Sequence, residues 1–434
     1  MSGRLGAALW RAVYQLAVHL AVPVVSVLMV WRGLRDRSQL RNFRERFGFG
    51  ARPSAPAIWV HAASVGEVQA AAGLIATLRQ RHPDIPLVVT CMTATGVARG
   101  RALFDSPVQV RYLPFDLPGC VWRFLSRIQP RIAVIFETEL WPNLYRACGR
   151  RRVPLIIASA RLSQRSVERY QWLGALFRDT LSQGVLVAAQ AEADAGRYRA
   201  LGAEPDRVRV TGNLKFDLTL PPGLGARGEE LRSHYAAERP MWVAGSTREG
   251  EEELVLRAHA QVRERHPQAL LVLAPRHPVR FDAVAAQVAS ARLDWLRRSQ
   301  DREDQRAAQA GVLLLDSLGE LLGFYAAADV AFVGGSLVPL GGHNLLEPAA
   351  VGIPILTGPH NENSPDIARQ LLKCGAAESV RDASELAVAV SSLLGDAAER
   401  ARRGAAGRQC VELNRGALAK LLALIEPLLT NGAA

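Results

Sequence analysis

From residue 57 onward the chain alternates short apolar runs with amphipathic stretches, and this alternation restricts the fold more than any other feature. Runs in the first half predict strands at 57–61, 86–90, 108–112, 131–136, 153–158, 185–189 and 207–211. Helices are predicted between most of them, for example at 67–81 and 118–128. Strands and helices in alternation indicate a parallel, doubly wound sheet that is covered on both faces.

The same pattern restarts after a Pro- and Gly-rich segment at 220–229, which is the best candidate for a domain boundary. Strands are predicted there at 241–244, 269–274, 311–315, 329–333 and 353–356. A chain of 434 residues also exceeds what one hydrophobic core usually organises. We therefore expect an α/β protein of two Rossmann-like domains, at 36–220 and 221–434, that face each other across a cleft. A terminal helix is predicted at 402–429. It could stay with the second domain or pack back on the first one.

Residues 1–35 are predicted to form a membrane anchor with a basic flank. The apolar run Ala12–Trp31 is about as long as a bilayer-crossing helix, and the absence of a small-residue cleavage site argues against a removed signal peptide. Arginines lie on both sides of the run, at Arg4, Arg11, Arg32, Arg35, Arg37, Arg41, Arg44 and Arg46. Their excess after the run predicts that the body of the protein stays in the cytoplasm, with the arginine cluster at anionic headgroups. Two arrangements remain open: a helix that spans the bilayer, or one that lies in the cytoplasmic interface.

The formal net charge of +12 suggests an anionic partner, such as nucleic acid, an acidic membrane surface or a phosphorylated substrate. A basic surface that only keeps the protein soluble is the alternative. The five cysteines are odd in number, widely spaced and never arranged as C-x-x-C. This pattern argues against a disulfide framework or a zinc site and fits a reducing compartment.

The junction between the first strand and helix contains Ser64-Val-Gly66-Glu67, which has the S-x-x-E form of a capping box. One interpretation is that Glu67 only helps to cap the helix. The other is that Glu67 is a general base, because open α/β sheets present their ligand crevice at such strand-to-helix turns. A second S-x-x-E, from Ser246 to Glu249, predicts the same capping arrangement at the start of the second domain.

Two further turns in the first half carry charged groups. Glu137 and Glu139 close a predicted strand and are candidates for an acid/base pair, although the turn supplies too few ligands for a metal site. Lys215 lies just before the domain boundary and is expected to point into the cleft.

In the second half, a glycine-rich segment from Gly334 to Asn344 follows a strand and precedes a predicted helix at 345–351. Glycines there permit close backbone approach, and free amides at a helix start favour an anion. The segment matches neither G-x-G-x-x-G nor a Walker loop, which weakens dinucleotide and ATP interpretations. Asn344 and Glu347 lie three residues apart on the first helical turn, where Glu347 could bind a ribose diol or complement the helix dipole.

Two other turns of the second half are candidates for the same ligand. Arg276 ends a strand between two prolines, where its guanidinium suits a phosphate or carboxylate. Gly319-Glu320 begins a helix after another strand. The histidines are scattered and lack metal-ligand spacing, so no metal site is predicted.

Taken together, the motifs resemble those of the bacterial 3-deoxy-D-manno-octulosonate (Kdo) transferases of lipopolysaccharide biosynthesis. The segments that carry the resemblance are, in order, WVHAASVGEVQAA, FETELWPN, TGNLKFD, AGSTREGEEE, APRHPVRF and GGSLVPLGGHNLLEPA. The resemblance implies an inverting GT-B glycosyltransferase at the cytoplasmic face of the inner membrane, which moves Kdo from CMP-Kdo to a lipid A precursor, the tetraacyl disaccharide bisphosphate. It implies no metal or other cofactor and no nucleic-acid partner.

The resemblance also assigns residues. The general base falls on Glu67, which leaves the capping role to Ser64. Contacts to CMP fall on Pro275, Arg276, Leu318, Gly319, Glu320, Asn344, Leu345, Leu346 and Glu347. Additional cleft residues are Ser64, Gly66, Glu137, Lys215, Ser246, Gly342 and His343. After His360 this chain continues with Asn361-Glu-Asn363-Ser-Pro, where the family usually has aromatic residues and an asparagine.

Two other functions compete with this prediction. A GT-B transferase that uses a UDP-sugar on another membrane glycolipid would have the same fold, but would prefer UDP to CMP. A membrane-tethered, non-catalytic protein that binds anionic lipids or nucleic acid would account for the charge alone. The sequence does not indicate the number of Kdo units added, the preferred acylation of the acceptor or the oligomeric state.

Overall fold

The computed structural model describes residues 2–35, 42–291, 293–301 and 309–431. It divides into two compact units. Unit 1 comprises Met1–Asp217 together with Asn414–Ala434, and unit 2 comprises Leu218–Leu413.

Unit 1 is built on a parallel seven-stranded sheet in the order β3-β2-β1-β4-β5-β6-β7. Its strands are β1 Ile58–His61, β2 Leu87–Cys91, β3 Gln109–Tyr112, β4 Ile132–Phe136, β5 Leu155–Ala160, β6 Leu186–Ala189 and β7 Val208–Val210. All seven predicted strands are present, each within two residues of its predicted limits. Strands β1, β2, β4 and β5 are buried along their whole length, which explains their continuous apolar sequences.

The helices of unit 1 connect these strands and cover both faces of the sheet. They are α1 Ser2–Arg35, α2 Val65–Arg81, α3 Ala94–Leu103, α4 Pro118–Ile128, α5 Pro142–Arg150, α6 Gln164–Trp172, α7 Gly174–Leu181 and α8 Glu192–Ala200. Short 3-10 helices lie at Phe43–Phe47, Pro205–Arg207 and Leu214–Asp217. Two apolar cores result, one on each side of the sheet.

Unit 2 repeats the architecture with strand order β10-β11-β9-β8-β12-β13-β14, again parallel. Its strands are β8 Met241–Thr247, β9 Leu270–Pro275, β10 Trp295–Arg297, β11 Val312–Leu314, β12 Val330–Val333, β13 Ile355–Thr357 and β14 Ala377–Ser379. The five predicted strands are present. The two edge strands, β10 and β14, were not predicted, because each has only three residues and lacks an apolar run.

The helices of unit 2 are α9 Leu224–Tyr235, α10 Glu252–Arg265, α11 Phe281–Ser290, α12 Leu321–Ala327, α13 Leu346–Val351, α14 Pro365–Lys373, α15 Ala383–Gly395 and α16 Ala397–Leu413. Short 3-10 helices lie at Pro278–Arg280 and Arg298–Gln300.

The predicted terminal helix at 402–429 is in fact two helices, α16 in unit 2 and α17, Ala417–Asn431, in unit 1. The break falls at Gly416, whose φ of +98° is incompatible with a continuous right-handed helix. Asp217 then accepts hydrogen bonds from the backbone N–H groups of Gly416 and Leu418, both at 2.6 Å. The apolar face of α17 enters the core of unit 1 through Leu421, Ile425 and Leu429.

The predicted capping box at the start of unit 2 is wrong. Strand β8 continues to Thr247 and contains a bulge at Ser246, whose φ is +58°. Ser246 therefore lies within the strand, and α10 begins only at Glu252 with no side-chain cap.

The predicted basic cluster is only partly described. Arg37 and Arg41 lie outside the described residues, as do the side chains of Arg4, Arg32 and Arg35. Arg44 is exposed, as expected for contact with headgroups. Arg46 contradicts that expectation: it is only 4% exposed, donates to the carbonyl of Met92 at 2.8 Å and lies 4.2 Å from the ring centroid of Tyr112.

Candidate active site

Strands β1 and β4 are neighbours at the centre of the unit 1 sheet, where the strand order reverses. Ligands of doubly wound sheets bind at the carboxyl ends of the strands at such a point. Glu67 lies in the first turn of the helix that follows β1, and Glu137 directly follows β4. The sheet topology thus brings together two of the acids that the sequence singled out.

The Glu67 carboxylate is part of the helix cap. The Ser64 hydroxyl oxygen accepts from the Glu67 N–H at 3.4 Å and donates to Glu67 Oε1 at 2.9 Å. Glu67 Oε2 accepts from the backbone N–H of Ala63 at 2.8 Å. Ser64 is therefore the side-chain cap of α2, and Glu67 ties the residue before the cap to the first turn. Gly66 is not required by space, because an added Cβ would meet only Ser64 Oγ, at 3.9 Å.

The environment of Glu67 raises the pKa of its carboxyl group. Burial is the largest cause, followed by the negative charge of Glu137, while the hydrogen bonds from Ala63 and Ser64 and the proximity of His61 act in the opposite direction. A carboxylate with a raised pKa is a better proton acceptor near neutral pH than an exposed glutamate. The arrangement is therefore chemically suited to a general base.

Glu137 and Lys215 form an ion pair beside this turn. Lys215 Nζ lies 3.3 Å from Glu137 Oε1, and both side chains are partly buried. Glu137 has a φ of +57°, a strained conformation that is common at functional sites. The hydroxyl of Tyr198 donates to the Glu137 carbonyl at 3.1 Å and supports this conformation.

His61 was not identified from the sequence as a candidate. It is the last residue of β1, is fully buried, and lies 2.9 Å from Thr90 Oγ1 through Nδ1. Its Nε2 has no hydrogen-bond partner among the described residues and lies 3.9 Å from Glu139 Oε2. The signal that could have found it is its position at the strand end, three residues before the S-x-x-E motif.

In unit 2, Pro275 ends β9 and is buried, and Arg276 follows it with a half-buried side chain. The Arg276 backbone N–H is held by the Thr247 carbonyl at 3.0 Å. In the part of the chain that the structure describes, the Arg276 guanidinium makes no hydrogen bond or ion pair. Arg276 therefore presents a cation with its donors unused, as an anionic ligand requires.

Asn344 and Glu347 interact at the start of α13. The Asn344 side chain accepts from the Leu346 N–H and donates to Glu347 Oε1, each at 3.1 Å. Burial raises the pKa of Glu347, although the Asn344 hydrogen bond and the charge of Arg276 oppose this shift. Leu345 and Leu346 are each only 1% exposed, so only their backbone groups could contact a ligand.

Gly319 lies in an open turn with a φ of +88°, and nothing lies within 4 Å of an added Cβ. Leu318 beside it is 71% exposed. Glu320 is held by two arginines, Arg298 at 2.8 Å and Arg227 at 3.3 Å. Burial alone would raise the pKa of Glu320. Its hydrogen bonds and the charges of the arginines outweigh burial and lower this pKa, so the carboxylate stays ionised.

The glycine-rich segment is organised by Glu251, a residue that the sequence did not single out. Its fully buried carboxylate accepts four backbone N–H groups. These belong to Arg248 at 2.9 Å, Gly335 at 2.5 Å, Ser336 at 2.9 Å and Leu337 at 2.8 Å. One buried charge thus fixes the backbone at the start of the loop.

The rest of the loop is held by contacts at its glycines. The Gly342 N–H donates to the Gly335 carbonyl at 2.7 Å, and Asn363 donates to the Gly342 carbonyl at 3.0 Å. The divergent sequence after His360 thus supplies an asparagine that supports this loop. His343 is neutral at physiological pH, because burial and the charge of Arg276 lower its pKa to about 4.

Comparison with known proteins identifies relatives of the whole chain. The family model of the 3-deoxy-D-manno-octulosonic-acid transferases (kdotransferases) matches residues 41–218. A 3-deoxy-D-manno-octulosonic acid transferase from Haemophilus influenzae is 39% identical over 97% of this chain and 99% of its own length. One from Bordetella pertussis is 39% identical over 96% of this chain and 99% of its own length.

Solved structures with less than 25% identity are similar in fold. A glycosyltransferase from Rickettsia africae has a TM-score of 0.57 at 13% identity and covers 87% of this chain and 100% of its own. A UDP-GlcNAc 2-epimerase from Neisseria meningitidis has a TM-score of 0.54 at 13% identity and covers 85% of this chain and 98% of its own. These likenesses confirm the predicted GT-B fold class. Together with the extent of the sequence identity above, they establish that the chain is a glycosyltransferase of the 3-deoxy-D-manno-octulosonic acid transferase family.

Proposed function

We propose that this chain transfers Kdo from CMP-Kdo to a lipid A precursor, the tetraacyl disaccharide bisphosphate, in lipopolysaccharide biosynthesis. Membership of the family supports Kdo as the transferred group. The observation that carries the mechanistic part is the Glu67 carboxylate, which is fixed by Ala63 and Ser64 and has a pKa raised by burial and by Glu137.

In this proposal Glu67 acts as the general base. It accepts the proton of an acceptor hydroxyl while that oxygen forms a bond to the anomeric carbon of Kdo. The bond from that carbon to the CMP phosphate breaks at the same time, and CMP leaves from the opposite face, which inverts the anomeric configuration. The two hydrogen bonds to Glu67 hold its carboxylate in one orientation, which reduces the entropy lost on reaching the transition state.

The donor is assigned to unit 2. CMP carries a single phosphate, so the Arg276 guanidinium with its unused donors can neutralise much of the charge on the leaving group. We propose that no metal or other cofactor is needed for this reason. Asn344 and Glu347 offer polar groups to the nucleoside, and Gly319 permits close approach of the backbone. We assign no role to nucleic acid.

The acceptor is an anionic lipid, which would account for both the net charge of +12 and the apolar helix α1. Within α1 the segment Ala8–Trp31 has a mean hydropathy of 2.0 and is long enough to cross a bilayer. We propose that the chain is attached to the inner membrane through α1, with both units on the cytoplasmic side.

The direct test supplies the purified protein with CMP-Kdo and the tetraacylated precursor and measures the product by mass spectrometry, which also counts the Kdo units added. A folded protein that forms no Kdo-bearing product would refute the proposal. Calorimetric titration should show a preference for CMP over UDP, and a preference for UDP would support a UDP-sugar transferase instead.

The role of Glu67 is tested by Glu67→Gln, which should abolish turnover while CMP binding persists. A matched control exists in α15, where Glu385 accepts from the Arg381 N–H at 2.8 Å and Asp382 accepts from the Glu385 N–H at 2.9 Å. Glu385→Gln removes the same type of capping acid and should leave turnover unchanged. If Glu67→Gln retained turnover and lost only as much stability as Glu385→Gln, Glu67 would be a capping residue alone.

A further inference from the structure

Unit 1 contacts helix α1 near its start and the short helix that follows α1 in the chain. We propose that α1 lies in the cytoplasmic interface of a bilayer that contains anionic phospholipids, and that it does not cross the membrane. This inference depends on the membrane attachment proposed above, and it assigns the partner of the exposed face of α1.

The first contacts lie near the start of the apolar segment. Arg11 Nη1 lies 2.9 Å from Asp179 Oδ2 on α7, and the hydroxyl of Tyr14 donates to Asp116 Oδ2 at 2.8 Å. Asp116 is only 5% exposed and also accepts the Leu144 N–H at 2.8 Å. These partners belong to the body of unit 1, so the beginning of α1 is fixed to the domain.

After the apolar segment the chain is fixed to the same unit. In the short helix Phe43–Phe47, Glu45 Oε2 accepts the backbone N–H of Tyr112 at 2.9 Å. Arg46 Nη2 donates to the Met92 carbonyl at 2.8 Å. The chain on both sides of the apolar segment is therefore bound to unit 1.

A helix that crosses a bilayer once has its two ends on opposite sides. Residues 11 to 31 rise about 30 Å, which is about the thickness of the hydrocarbon layer. A crossing would thus place Arg11 and Tyr14 on the side away from unit 1 and would separate them from Asp179 and Asp116. The described contacts and a single crossing exclude each other.

The exposure of the side chains repeats with the helical period. Partly covered or buried residues recur every three or four positions, at Arg11, Gln15, Val18, Val22, Ser26, Met29 and Gly33. These residues extend over about 33 Å along one face of the helix. The helix therefore turns the same side away from solvent along its length. Two of the polar interruptions of the apolar run, Gln15 and Ser26, lie on this inward side.

The opposite side of α1 is apolar and exposed. Its large residues are more than half exposed, at Leu9, Leu16, Leu20, Val24, Val27, Trp31 and Leu34. A helix with one continuous apolar face, lying in the plane of the interface, is the form that interfacial anchors take.

The surface around the short helix Phe43–Phe47, which follows α1 in the chain, has the composition of a membrane interface. Trp122 on α4 is 62% exposed and Phe49 is 42% exposed. Arg44 and Arg123 lie 5.7 and 4.8 Å from the ring centroid of Phe49. Aromatic rings with arginines are enriched where proteins meet headgroups, and the positive charge favours anionic phospholipids over a protein partner of neutral charge.

The proposal is tested by determining on which side of the membrane the chain lies before and after the apolar segment. Gly6→Cys and Arg44→Cys place a thiol before and after the apolar segment: an added Cβ at Gly6 meets nothing within 4 Å, and Arg44 is exposed. Intact spheroplasts are treated with a membrane-impermeant maleimide, with lysed spheroplasts and the parent chain as controls. We expect both positions to react only after lysis. Reaction of Gly6→Cys in intact spheroplasts, while Arg44→Cys stays unreactive, would overturn the proposal.

A second measurement keeps the test independent of cysteine labelling. Leu16→Asp and Leu20→Asp should each lower flotation of the purified chain with phosphatidylethanolamine/phosphatidylglycerol vesicles by about tenfold. Val388→Asp, at a 58% exposed apolar position in unit 2, is the matched control and should float like the parent. Equal flotation of all variants would overturn the assignment of this face. Recovery of the parent chain in the soluble fraction of cells would instead refute the membrane attachment itself.

Discussion

Glu251→Gln should destabilise unit 2 more than the replacement of any neighbouring carboxylate by an amide. Oε2 of Glu251 accepts from Arg248 and Gly335, and Oε1 accepts from Ser336 and Leu337. Glutamine retains one oxygen and replaces the other by an NH2 group. Two of the four hydrogen bonds are therefore lost. The new NH2 group, itself a donor, faces the two backbone N–H groups that have lost their acceptor.

The magnitude follows from the kind of hydrogen bond. A hydrogen bond to a charged group contributes about 1.5 to 3 kcal/mol, so the loss of two should cost about 3 to 6 kcal/mol. Glu249, two residues earlier, is a matched control, because its side chain is 85% exposed and contacts only Arg280, at 3.3 Å, among the described residues. Glu249→Gln should cost less than about 1 kcal/mol.

Urea unfolding measures the difference in free energy, and amide hydrogen exchange at residues 335–337 locates it. In the parent chain these amides should exchange slowly because the buried carboxylate accepts them. If Glu251→Gln unfolds within about 1 kcal/mol of the parent and exchange at 335–337 stays slow, the carboxylate does not organise the loop and the reasoning is refuted.

Three further predictions concern other parts of unit 2. Arg276→Lys should weaken CMP binding about tenfold in calorimetric titration without a loss of stability, because lysine cannot form a bidentate pair. Burial lowers the pKa of His259 to about 3 from the ordinary 6.5, so the unfolded chain binds more protons as the pH falls. This residue should therefore remove about 1.4 kcal/mol of stability per pH unit between about 6 and 3, and His259→Gln should reduce the slope of urea-unfolding free energy against pH by that amount. Gly358→Ala should lower the melting temperature, because the new Cβ would lie 2.1 Å from the Ser336 carbonyl oxygen, and overpacking costs about 1 to 3 kcal/mol; an unchanged melt would show that the loop can move.

The central strands could be predicted because burial on both faces leaves a direct mark on the sequence. Each strand from β1 to β7 appears where a short apolar run ends in a polar or glycine-containing turn. The edge strands β10 and β14 leave no such mark, because neither lies in an apolar run of the sequence. The capping box predicted from the second S-x-x-E was wrong because a local pattern was overridden by sheet pairing. Ser246 has the local sequence of a cap, but pairing with β9 extends strand β8 through it.

The candidate sites could be found where the signal is local and were missed where it is long-range. Arg276 and Asn344 stand out because each lies directly at the end of a strand or the start of a helix. Glu251 has partners more than eighty residues away, in the glycine-rich loop. No spacing rule within its own helix indicates that role, which arises only when β8 and β12 pair in the sheet.

At Glu67 the helix cap and the proposed general base depend on the same arrangement. The cap provides two hydrogen bonds that fix the carboxylate, and these bonds alone would lower its pKa. Burial and the charge of Glu137 act more strongly and raise the pKa instead. A pure capping acid gains nothing from a nearby carboxylate, whereas a proton acceptor does. The position of Glu137, which pairs with Lys215 and has a φ of +57°, therefore supports the proposed role of Glu67 rather than a cap alone.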